Sequence, residues 1–162
     1  MDETRVPSRD LATLVVPQVG RLAATGDEWD PYRLLDGGGA TVESVAAFFR
    51  ELQAAGRSGA TLRSYGMDLL RWFRFCWAVG VDWDRATRVE ARDFCRWLQV
   101  AGKPARAHWR RPGQPPSGAP SPARAYAPSV RAHSETVLRG FYEFHLDLGD
   151  GPILNPFPLE RS

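Results

Sequence analysis

Cysteine is scarce in this sequence. The two thiols among 162 residues, Cys76 and Cys95, form no Cys-x-x-Cys pair and sit inside apolar helical runs. That spacing excludes a disulfide scaffold and a cysteine zinc site, and it predicts buried thiols in a reducing compartment. Long hydrophobic runs are also missing. No signal-like apolar segment opens the chain, and nothing approaches the roughly 18 apolar residues a membrane span needs. The expectation is a soluble, cytoplasmic protein with no membrane partner. No stretch alternates with period two, so strands are not predicted. Lysine is almost absent, since twenty of the 21 basic residues are arginine. A GC-rich genome produces that bias as readily as selection for phosphate contacts does. Nucleophile–base pairs, carboxylate pairs at defined spacing and ligand clusters are lacking too, so no active site, no metal and no cofactor are implied.

What is present is enough for one domain with a real core: 43% apolar residues, with six tryptophans and eight phenylalanines. The net charge of +2 is small but unevenly spread. Residues 1–40 hold four arginines against seven acids, a net of −3, whereas residues 103–139 hold seven basic residues against Glu135 alone, a net of +6. A basic stretch of this kind suits a polyanionic surface; a solvated loop would carry the same charge.

Residues 1–40 read as an acidic, partly ordered N-terminal extension with Pro7, Pro17 and Pro31. Within it Leu11–Val19 is short and apolar and is expected to pack as an extended arm. Gly37-Gly38-Gly39 has no strand before it and no lysine after it, so it is read as a hinge, not a phosphate loop. Four helices follow. The first starts at Thr41 as N-cap and runs to about Ala55, with Val42, Val45, Ala46, Phe49 and Leu52 as its apolar stripe. The second runs from Ser58 to about Val79, stopped by Gly80, with Leu62, Tyr65, Leu69, Trp72, Phe73, Cys76 and Trp77 inward and Arg63, Arg71 and Arg74 outward. Thr87-Arg-Val-Glu90 has capping-box spacing and opens the third, which Gly102 ends. Residues 103–128 form a basic, proline-rich loop. The fourth helix is capped by Ser129, buries Val130, Ser134, Val137, Leu138, Phe141 and Leu148, and stops at Gly149. The predicted fold class is all-α: a four-helix bundle with an N-terminal extension and a long loop before the last helix.

Two constellations stand out. Ser58, Thr61, Arg63 and Ser64 open the second helix, either as plain caps or as a positively polarised helix end that docks on phosphate. Arg131, His133, Ser134 and Arg139 lie on the fourth. Arg131 and Glu135 have the spacing of an ordinary ion pair, yet a cation in a first turn opposes the helix dipole unless an anion is supplied from outside. His108-Trp-Arg-Arg111 spells a His-x-x-Arg pattern, but in the proline-rich loop it is read as coincidence. His108, Trp109, Arg110 and Arg111 there would touch nucleic acid through charge and stacking.

These residues resemble the core-binding domain of tyrosine recombinases, the integrase-like site-specific recombinases. The match rests on Val42–Leu52, on Thr61-x3-Tyr65-x2-Asp68-Leu69-x2-Trp72-x2-Phe75, on Ser129–Phe144 with Arg139-x-Phe141-Tyr142, and on the closing Asn155-Pro156. It covers residues 41–156. The resemblance implies a SAM-like orthogonal bundle whose second and fourth helices face the major groove of double-stranded DNA. It assigns DNA contact to Thr61, Arg63, Ser64, Arg131, Ser134 and Arg139, with Arg110 and Arg111 adding charge. Residues 157–162 would begin a linker towards a catalytic domain that this sequence does not contain, so strand cleavage is not expected of it. A catalytic recombinase domain and other recombinase protomers are the implied partners. The alternative from another class is a SAM-like helical protein-interaction module without DNA binding, in which the aromatics of the second helix partly face a partner.

Overall fold

Helix α2, Gly59–Val79, is the element on which everything else leans. The computed structural model describes residues 8–100 and 126–159. Around α2 lie α1 (Glu43–Ala54), α3 (Arg88–Val100) and α4 (Pro128–Leu148), with a short 3-10 turn at Trp83–Arg85. Strands β1 (Arg21–Ala24) and β2 (Tyr32–Leu35) form an antiparallel hairpin ahead of them, with Arg21 opposite Leu35 and Ala24 opposite Tyr32. The four expected helices are there, but the chain is not purely α.

The helix boundaries follow local chemistry. Ser58 accepts a hydrogen bond from the Thr61 N–H at 3.2 Å and caps α2. Glu90 reaches back to the Thr87 N–H at 3.3 Å, completing the capping box of α3. Gly80 and Gly149 end α2 and α4 in the left-handed conformation, at φ 73° and 78°. Two expected caps are replaced. Thr41 is drawn into a bridge with Leu35, and the Val42 N–H donates to the Leu34 carbonyl, so α1 starts behind Val42 without a side-chain cap. In α4, Pro128 takes the first helical position, where a missing N–H costs nothing, and Ser129 falls inside the first turn.

Trp72, Phe75, Phe94, Phe141 and Tyr142 are fully buried and fill the space between the helices. The Trp72 indole N–H donates to the Tyr142 hydroxyl at 3.0 Å, which donates in turn to the Trp83 carbonyl at 2.7 Å, so both buried polar atoms are satisfied. Leu148, expected inside, is 56% exposed. The inward place in that last turn belongs to His145, whose Nε2 lies 2.9 Å from the Ser44 carbonyl.

The N-terminal segment belongs to this core. Leu11 and Leu34 are buried, Arg9 pairs with Asp93 of α3 at 2.6 Å, and Arg74 of α2 donates to the Val19 and Gly20 carbonyls. Leu22 of β1 sits directly over Gly66 of α2. A Cβ at that glycine would lie 2.7 Å from a Leu22 methyl and 3.2 Å from the Phe49 ring. The triple glycine is a turn, not a hinge: the Asp36 carboxylate accepts from the Gly38 and Ala40 N–H groups and folds the chain back on β2. At the other end Phe157, placed by sequence in a linker, is 5% exposed and packs edge-on against Trp72 at 5.0 Å. No helix among the described residues is long and apolar enough to cross a membrane.

Candidate nucleic-acid interface

Asp68 of α2 meets Ser134 of α4, and Trp72, four residues on, meets Tyr142. The two helices therefore run in the same sense, and their N-terminal ends lie on one side of the molecule. Between those ends an open groove is lined by Arg63, Ser64 and Arg71 from α2 and by Ser129 and His133 from α4, with Asp68 beneath. Residues from the two constellations read in the sequence are thus brought together.

The groove floor is a polar knot. Asp68 is 3% exposed. One carboxylate oxygen accepts from Arg71 at 2.6 Å and from the Ser134 hydroxyl at 2.7 Å; the other lies 2.6 Å from His133 Nδ1. Burying a lone carboxylate is costly, and these partners offset that cost while tying α2 to α4. Arg71 also lies over the Tyr126 ring at 5.4 Å from its centre. Sequence reasoning missed this role of Asp68 and Arg71. The available signal was an acid at the centre of an apolar helix, a place that demands a buried partner.

The expected contact residues divide. Arg63 and Ser64 are exposed along the groove, and Thr61 is half-buried beside them, its hydroxyl 3.1 Å from that of Ser58. Ser134 is fully buried and spends its hydroxyl on Asp68, so it offers no surface to a ligand, contrary to expectation. Arg139 faces away from the groove. Its Nε donates to the Phe157 carbonyl at 3.0 Å, while the Asn155 side chain donates to the Arg139 carbonyl and accepts from the Phe157 N–H. Asn155-Pro156 thereby locks the C-terminal segment onto α4. Arg131 is half-buried, and its Nε has no hydrogen-bond partner among the described residues. Its expected partner Glu135 accepts instead from the Cys95 thiol at 3.3 Å. Burial, and then the Glu135 charge and hydrogen bond, push that thiol up to about 12, so Cys95 stays protonated and unreactive. Arg110 and Arg111, with most of the proline-rich loop, lie outside the described residues.

Acid placement sets two helices apart. The first turns of α1 and α3 carry Glu43 and Glu90, which complement the positive end of a helix dipole. The first turns of α2 and α4, the two that border the groove, carry none. A helical module of this shape presents two uncompensated positive ends and an exposed arginine on one face. Residues 45–111 match the family model described as phage integrase, N-terminal SAM-like domain. The matched stretch runs from α1 through α3, so the resemblance drawn from the sequence holds there; α4 lies beyond it. No curated protein and no solved structure matches the chain.

Proposed function

We propose that residues 41–156 are the DNA-binding module of an integrase-type site-specific recombinase, gripping double-stranded DNA along the groove between α2 and α4. The observation that carries this reading is the pair of co-directed helix N-termini without first-turn acids, beside the exposed Arg63. Asp68 does not repel a phosphate there, because it is buried against Arg71, His133 and Ser134. Thr61 and Ser64 supply hydroxyl donors, and Arg110 and Arg111 add sequence-independent attraction. The interaction-module alternative asked the aromatics of α2 to face a partner in part; Trp72, Phe73 and Phe75 are buried and Tyr65 and Trp77 are half-buried against the core, which favours the DNA reading.

Arg63→Ala tests it. Arg63 is exposed, so the variant is expected to fold normally and to lower the log–log salt slope of duplex binding by about one unit. If Arg63 reads a base edge, about 1–3 kcal/mol of preference for the cognate site disappears as well. Unchanged affinity and slope in a folded variant would favour the interaction module.

The module binds DNA and leaves strand cleavage to a catalytic recombinase domain, its own or a partner's. Among the described residues Tyr142 is held deep in the core with its hydroxyl donated to Trp83, and burial raises its pKa. Tyr126 is also buried. Incubating the purified chain with duplex DNA is expected to yield no covalent protein–DNA adduct on a denaturing gel. A tyrosine-linked adduct would overturn this division of labour.

A further inference from the structure

Helix α3 carries Arg88, Arg92 and Arg96 at four-residue spacing, and all three are exposed. Successive members are turned by about 40°, so the row occupies a single narrow face. The acids of the same helix lie on another flank, where Arg9 holds both Glu90 and Asp93. Among the described residues none of the three arginines has an acidic partner. Arg88 also stands in the first turn, the wrong end of the helix for a cation, and each neighbouring pair of like charges weakens the helix. Across an open cleft, Arg139 of α4 faces Arg88 and Arg92. Glu135 is the carboxylate in that cleft, and it accepts from Cys95. Three arginines in a row, without an acidic partner among the described residues and at a spacing that disfavours their own helix, point to an anion with repeated charges along a line.

We infer that the α3 row is a second track for DNA phosphates, separate from the α2/α4 groove. Helix α4 lies between the two: His133 borders the groove and Arg139 borders the cleft. The groove and the cleft therefore border α4 on different sides. Guanidinium groups at helical spacing match a phosphodiester backbone by charge and carry no base readout. This inference rests on the DNA-binding reading above.

The test is a salt series of duplex binding by the full chain in three forms: wild type, Arg88→Gln/Arg92→Gln/Arg96→Gln, and the corresponding triple lysine variant. The glutamine variant is expected to lower the log–log salt slope by about two to three units, roughly one per lost phosphate contact. The lysine variant is expected to keep the wild-type slope, because charge neutralisation does not need a guanidinium. Thermal unfolding of the glutamine variant should occur no lower than in the wild type, since like-charge neighbours have been removed. An unchanged slope in the folded glutamine variant, with a reduced slope in Arg63→Ala, overturns the second track and leaves the groove standing. Absence of salt-dependent duplex binding by the wild type overturns both. A lysine variant with a slope as low as the glutamine one would mean that the salt dependence does not report positive charge along the row, and would also overturn the inference.

Discussion

Phe141→Ala is expected to lower the unfolding free energy by about 3–5 kcal/mol. The ring is fully buried where several elements converge. It meets Phe48 of α1 at 5.6 Å, Phe73 of α2 at 6.0 Å, Trp83 of the 3-10 turn at 5.4 Å and His145 of its own helix at 4.8 Å. These aromatic neighbours hold one another and cannot collapse easily into the void, which places the cost towards the upper part of that range. A domain of this size has ~5–15 kcal/mol in total, so the variant should sit near the edge of folding. Chemical denaturation followed by tryptophan fluorescence reads the effect. A midpoint close to the wild type would mean that α4 does not pack through Phe141.

The second large effect is expected at Asp68→Ala, with a loss of about 3 kcal/mol. This is the lower end of the cost of breaking a buried charge pair, because Arg71 keeps about a fifth of its side chain exposed and His133 nearly half, so water can reach both when the carboxylate goes. The Ser134 hydroxyl has no such recourse, being buried with no other partner shown. Replacing Ser134 by alanine should therefore cost less in the Asp68→Ala background than in the wild type. Equal costs in both backgrounds would show that the knot contributes no coupling between α2 and α4.

The bundle was legible because its signals are local. Ser58 with Thr61, Thr87 with Glu90, and the glycines at 80 and 149 act within a few residues of themselves, and the α2 stripe repeats at helical spacing over about four turns. The hairpin was not legible. Its strands are four residues each, acidic and proline-broken in between, and they are stabilised by residues such as Gly66 and Arg74 that lie far along the chain. Thr41 was misread as a cap for the same reason, since its partner Leu35 is a matter of tertiary pairing. At the candidate site, the exposed Arg63 and Ser64 could be found from position in a first turn. Ser134 could not be sorted: a small hydroxyl on an apolar stripe reads alike whether it faces a ligand or a buried carboxylate. Arg139 offered the same ambiguity, because its partner Phe157 lies past the end of the helix.

The notch at Gly66 bears on how such a module can be recombined with others. Charge and proline content suggest a natural seam near residue 41, and a chimaera assembled there would look tidy on paper. The seam passes through a lock whose two halves are Leu22 and Gly66. A donor lacking the hairpin would take Leu22 away from Gly66, and a recipient with a larger residue at position 66 would force the Leu22 side chain to move aside. The unit that travels intact begins with the hairpin, so a graft of the helices alone inherits an unfilled socket.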